Sequence, residues 1–377
     1  MARILAAAGI AASLAFGAAL APAAAQTPAA PQTPAAAQTP AAAQPPAAAQ
    51  TLDRREFNVV GTWGFVSNWN NLEKPFWTEE LPKASGGALK GNAKAQTELN
   101  LRGTEILRLL KQGVFDFAAA LPIYVDEGSA VIEAADIAGV ARDFKSARAI
   151  ADAWLPEMQK VMRDKHGASI LGTFVFPEQV IWCRGDVKSA ADLKGKKVRV
   201  QGTSQGDFIT ALGGSPVTIA FAEVLPALEK GVVDCGITGT MPGYKAKWPE
   251  VTNSLLWLPV NYTIGFWAVN NATWAKLSKP TQDFLTAQFK ALEDRSWTVI
   301  AAESDEGIYC ATGTGACTQG PVGKVALVKP SPADVAAREK ALNEVVLPSW
   351  AKRCGDACAA TWNSLVGKTY GLTAKAN

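Results

Sequence analysis

From about residue 57 onward, two hydrophobic rhythms alternate along the chain. Short apolar runs stop at glycine or turn residues, and longer stretches repeat apolar positions at three- and four-residue spacing. "FNVVGTWGFVSNWNN" opens with a predicted strand at 57–60 and continues as a loop rich in Gly, Trp and Asn. "EKPFWTEELPKAS" predicts an amphipathic helix stopped at Gly86 and Gly87, and "ALKGNAKAQTELNL" an alternating strand around 91–96. "TEILRLLKQG" predicts a helix with Thr104 as N-cap and Gly113 as its stop. "VFDFAAAL" is a buried strand. Strand, helix, strand, helix, strand is the order of an α/β domain with a mostly parallel sheet.

A second series follows "DFKSARAIADAWLPEMQKVMRDKHG", a long helix stopped at Gly167. "ASILGTFVF", "EQVIWCRG", "KVRVQG", "SPVTIAF" and "VVDCGITG" predict strands, with helices over "SAADLKG", "SQGDFITALGG" and "AEVLPALEKG" between them. "YTIGFWAVN" predicts a strand returning to the first set, and the remainder is mostly helical. The expected organisation is two lobes with a hinged cleft, since the chain crosses between them more than once. Lobe I takes 56–176 plus 266–377 with the C-terminal helices, and lobe II takes 177–265.

The first 25 residues are not part of that fold. Arg3, an alanine-rich apolar run and Ala23-Ala24-Ala25 before Gln26 predict a secretory signal peptide. Residues 26–55 repeat a "QTPAAA"-like unit at Gln26, Gln32, Gln38, Gln44 and Gln50. An uncharged Ala/Pro/Gln tract cannot bury enough to fold, so a disordered linker is expected. Export to the periplasm suits the six cysteines. Cys310 and Cys317 bracket one short loop, Cys354 and Cys358 another, which leaves Cys183 and Cys235. Local pairing is the simplest arrangement, but six cysteines permit many connectivities and spacing does not choose among them.

Candidate chemistry points to binding. The formal net charge of +3 carries no concentrated Lys/Arg run, so no nucleic-acid partner is expected. The single histidine, His166, ends a long helix, where the helix dipole favours it, and no GxSxG or GxxxxGK[ST] is present. No catalytic residue, cofactor or metal site is therefore assigned. Arg199 stands out, flanked by Val198 and Val200 near the end of a strand that precedes a helix. Its planar fork matches a carboxylate, and ligands in open α/β sheets gather beyond the carboxyl ends of strands.

The stretch "DLKGKKVRVQG…ALGGSPVTIAFAEVLPALEKGVVD", residues 192–234, resembles the central signature of TRAP-type solute-binding proteins, the DctP family. "LKQGVFDFAAALPIY" and "NNATWAKLSKPTQDFLTAQFKAL" extend the resemblance over most of residues 57–292. It implies the two-lobed periplasmic-binding-protein fold, type II-like, with mixed sheets flanked by helices. It also implies capture of an organic acid for delivery to the membrane subunits of a TRAP transporter. The carboxylate-binding arginine of the family falls on Arg199. Gln179 stands near a second arginine of some members, and Thr238 near an asparagine that often reaches the ligand. Further candidates by position are Gln201, Thr240, Trp63, Asn68, Trp69, Gln96, Glu98 and Tyr124. The polar cluster usual after "VD" is replaced by "CGITGTMPG". With several tryptophans nearby, this favours a larger, less polar monoacid, aromatic or hydroxylated. The alternatives are an exported sensory binding protein and a hydrolase-like enzyme on the same scaffold.

Overall fold

A computed structural model describes residues 51–125 and 129–376. The expected signal peptide and nearly all of the expected linker lie outside the described residues. Order begins just before the expected boundary. Asp53 donates its backbone N–H to Thr281 and accepts from the Ser278 N–H, tying the chain down two residues ahead of the first strand.

The strands are β1 (Arg55–Gly61), β2 (Leu89–Ala95), β3 (Phe117–Ala120), β4 (Ala168–Val175), β5 (Gln179–Cys183), β6 (Lys197–Val200), β7 (Ser215–Thr218), β8 (Cys235–Gly239), β9 (Ser254–Leu256), β10 (Ile264–Asn270) and β11 (Ala326–Val328). They form two sheets, ordered β2-β1-β3-β10-β4 and β11-β9-β5-β8-β6-β7. β1, β2 and β3 pair in parallel, as the alternation predicts, but β10 enters antiparallel to both β3 and β4, so the first sheet is mixed. β11 adds an edge strand to the second sheet. This corrects the expectation that all of 266–377 belongs to lobe I: the chain leaves the first sheet at Asn270 and returns to the second.

Two extended segments join the sheets, β4 to β5 and β9 to β10. They are hydrogen-bonded to each other: Val260 N–H donates to the Gln179 carbonyl, Gln179 N–H to Asn261, and Phe176 N–H to Tyr262 and Thr263. The helix Phe144–His166 has the expected stop, Gly167, in the left-handed region, and Asp143 caps its start through the Ser146 N–H. The Thr104 cap is not formed. The helix there is Ile106–Lys111, preceded by Glu105 with no side-chain cap.

The 34-residue helix Lys279–Thr312 packs beside β4 with its first half. Phe289 stacks on Phe117 of β3 at 5.7 Å between ring centroids. Its second half meets the short helix Thr240–Lys245 of the other lobe. Gly307 makes that approach possible, because a Cβ there would stand 2.3 Å from the Met241 backbone nitrogen. Backbone cannot move aside as a flexible side chain can. Gly307→Ala is therefore expected to lower the urea midpoint by the equivalent of about 1–3 kcal/mol, while Ala at solvent-facing Gly113, where nothing lies within 4 Å, tests only its left-handed φ of 75°.

All six cysteines are paired, as Cys183–Cys235, Cys310–Cys317 and Cys354–Cys358. Cys183 and Cys235 sit directly opposite one another in the β5–β8 ladder. Among the described residues no helix is long and apolar enough to cross a membrane, and no cluster of His, Cys, Asp or Glu is arranged to hold a metal ion.

Candidate functional site

The carboxyl ends of β1, β3, β6 and β8 face a cavity between the two sheets. Lobe I lines it with Trp63, Leu121, Ile123 and Tyr124; lobe II lines it with Arg199, Gln201, Phe221, Thr238 and Pro242. Phe176, Gln179 and Thr263, from the two crossing segments, close its back. The room left inside it for water is about 20 Å³.

Arg199 lies in β6 opposite Gly236 of β8. A side chain at 236 would press on the Trp248 ring at 3.0 Å, so the bare backbone there leaves room for the indole packed beside Arg199. Arg199 is only 1% exposed. Its Nε donates to the Ile219 carbonyl at 2.9 Å and one terminal nitrogen to the Ile237 carbonyl at 2.8 Å. The Phe221 ring lies 5.8 Å from the guanidinium carbon, within cation–π range. No described carboxylate forms an ion pair with it. Burial lowers the guanidinium to about 10.

Around this cation the cavity is neutral. Gln201 donates its amide N–H to the Gln179 amide oxygen and accepts from the Thr263 hydroxyl at 3.0 Å. Gln179 donates onward to the Pro177 carbonyl. Tyr124 stands across the cleft, its ring against Gly103, where φ is 104° and a Cβ would lie 2.4 Å from the ring. Its buried hydroxyl lies by the Phe221 backbone without reaching hydrogen-bond geometry, and burial pushes it above the ordinary phenol range. Trp63 meets Phe221 edge-on at 5.2 Å across the lobes. At the mouth, exposed Arg102 pairs with exposed Glu223 at 3.2 Å, a contact of small energetic weight.

Six of the sequence candidates therefore come together: Arg199, Gln179, Gln201, Thr238, Trp63 and Tyr124. Five stand elsewhere. Asn68 donates to the Val175 carbonyl, and the Trp69 ring fills the space over Gly61. Exposed Glu98 accepts from the Ala95 N–H. Thr240 begins a helix and donates to the Ser304 carbonyl at 2.7 Å. Gln96 lines a smaller cavity that shares Leu121 and Tyr124 with the main one, and its buried amide oxygen has no partner. The sequence reading missed Phe221, Thr263, Ile123, Phe176 and Pro242. Phe221 was readable as lying three residues past β7, which pairs in parallel with the β6 strand of Arg199.

Two α/β lobes, joined by paired crossings around a buried cation in a closed cleft, define a ligand-binding protein of the hinged two-lobed class. The chain belongs to the DctP family, bacterial extracellular solute-binding protein family 7, whose profile matches residues 70–352. Solved structures share the fold. A Bordetella pertussis extracytoplasmic solute receptor that binds pyroglutamic acid is 18% identical, with a TM-score of 0.74 over 83% of this chain and 99% of that one. A TRAP periplasmic solute-binding protein from Desulfovibrio salexigens, with bound orotic acid, is 15% identical, with a TM-score of 0.74 over 84% and 98%. One from Shewanella oneidensis, with bound succinate, is 16% identical, with a TM-score of 0.71 over 82% and 98%.

Proposed function

We propose that this protein is a periplasmic receptor that captures a small monocarboxylic acid on Arg199 and hands it to the membrane subunits of a TRAP transporter. One observation carries the reading: a fully buried guanidinium faces the cleft with two of its N–H groups on carbonyls and no carboxylate counter-charge. A buried charge without a partner is costly, and a bound carboxylate supplies the partner. Its remaining N–H groups suit a bidentate acid. The Tyr124 hydroxyl, unpartnered in the same cavity, is a second donor for it.

The rest of the cavity narrows the acid. Among the described residues that line the cavity Arg199 is the one cation, so the second carboxylate of a diacid would be buried unpaired. Gln179, Gln201, Thr238 and Thr263 offer amides and hydroxyls, and Trp63, Phe176 and Phe221 offer ring faces. A compact ring acid carrying an amide or hydroxyl matches the chemistry of these walls. Pyroglutamate and orotate, the ligands of two structural neighbours, have this chemistry.

Calorimetry on the wild-type protein tests it with pyroglutamate, its carboxamide, orotate and succinate. The expected order is ring monoacid over diacid, with the carboxamide weaker than its acid by at least about 100-fold. Equal binding of acid and carboxamide overturns the carboxylate clamp.

A further inference from the structure

The crossing between β9 and β10 carries a strained residue of the cleft. Thr263 is β-branched and has φ of 48°, in the left-handed region where such side chains are rare. Strain of this kind persists only where the surroundings hold it. Here the holder is Asp136, on the lobe I loop after the short helix Ser129–Glu133. Its Oδ2 accepts from the Asn261 amide at 2.6 Å and the Ile264 N–H at 3.3 Å, and its Oδ1 accepts from the Tyr262 N–H at 3.1 Å. The donors therefore bracket Thr263 on both sides. Thr263 itself lines both the ligand cavity and a second cavity lined by Asp136.

The same bend is wired to the ligand cavity. Asn261 accepts from Gln205 at 2.8 Å, Gln205 accepts from the Gln201 N–H at 2.8 Å, and Gln201 accepts from the Thr263 hydroxyl. We propose that Asp136 is a positioning residue, a clasp that holds the interlobe crossing bent at Thr263 in the closed cleft and releases it when the cleft opens. This rests on the reading of the cleft as a hinged ligand site.

Among the described residues no cation acts on Asp136. The charged groups on the elements packed around it are Glu133, which accepts from the Ser204 N–H, and Arg353, which bridges Glu133 to Asp207. Arg338 donates to the Pro259 and Ala141 carbonyls on the far side of the crossing. Tyr262, whose hydroxyl is raised by burial, is the other titratable neighbour. Burial is the largest influence on the Asp136 carboxyl and pushes it up to about 7, against hydrogen bonds from Tyr262, Asn261, Ile264 and Thr263. In an open, hydrated hinge the group returns toward the ordinary range of about 4. The clasped state then binds the proton more tightly, so closing takes up a proton between those two values. Affinity tightens as pH falls from 7 toward 5 and is flat above about 8.

The test measures pyroglutamate affinity by calorimetry from pH 5.5 to 8.5, together with backbone amide exchange of the ligand-free protein. Asp136→Asn keeps the shape but turns one acceptor into a donor facing three donors. It is expected to flatten the pH profile and to speed exchange at Tyr262 and Ile264. Asn261→Ala, which leaves the carboxyl in place, is expected to weaken binding several-fold and serves if Asp136→Asn does not fold. Wild-type affinity, pH slope and exchange in both variants overturn the clasp. Faster exchange in Asp136→Asn, with no acid bound by the wild type, upholds the clasp and rejects the acid reading.

Discussion

Arg199→Met is expected to reduce acid affinity by about 10²- to 10³-fold while moving the ligand-free unfolding midpoint only slightly. In the complex, the guanidinium and the acid neutralise each other out of water. Removing one partner of such a pair costs about 3–5 kcal/mol, because the other is left buried and uncompensated. Without ligand the balance differs. Methionine abandons the Ile219 and Ile237 carbonyls, which is unfavourable. It also removes a cation that burial already disfavours. The two effects oppose each other. Arg199→Lys keeps the charge but loses the fork, so its affinity should lie between wild type and methionine. Calorimetry paired with urea melts of the ligand-free proteins reads both quantities. If Arg199→Met loses several kcal/mol of ligand-free stability and retains acid binding, Arg199 is scaffold.

The second large effect is expected from the disulfide between β5 and β8. Replacing Cys183 and Cys235 together by alanine is expected to cost about 4 kcal/mol, the chain-entropy value for a closed loop of this length. The two residues are 52 apart in sequence. Both are fully buried, so alanine adds no unsatisfied polar group. The loop they close contains β6 and β7, and β6 holds Arg199 beside β8. The same double replacement at Cys354 and Cys358, only four residues apart, should cost less. Equilibrium urea unfolding of the two variants compares them directly. Equal losses would show that loop length is not what sets the stabilisation.

Most strands were legible as short apolar or alternating runs closed by glycine or a turn, whereas β9 and β11, three residues each, were not. Arg199 was legible because a permanent cation interrupts a valine strand at its carboxyl end. Trp63 and Tyr124 follow β1 and β3, two strands whose ends reach the cleft. Gln96 and Glu98 follow β2, the edge strand one place further out, and strand order is not written in the local pattern. Thr238 and Thr240 are two residues apart, yet β8 ends between them and the chain turns Thr240 toward Ser304. Thr263 was invisible for another reason. Its place depends on a left-handed bend held by hydrogen bonds from a loop more than a hundred residues earlier in the chain.

The position of β10 has a consequence for how the chain assembles. β3 and β4 are not neighbours; β10 lies between them and bonds to both. Emerging from the N-terminus, the chain has made every strand of the first sheet but β10, the one between β3 and β4, and the missing strand follows nearly the whole of the second sheet. Lobe I therefore cannot close until lobe II has largely formed, although it begins first. During that interval β3 and β4 present unpaired edges, which are the features that recruit other chains. A fragment ending near residue 260 should be prone to aggregate, while the intact chain conceals both edges in a single late step.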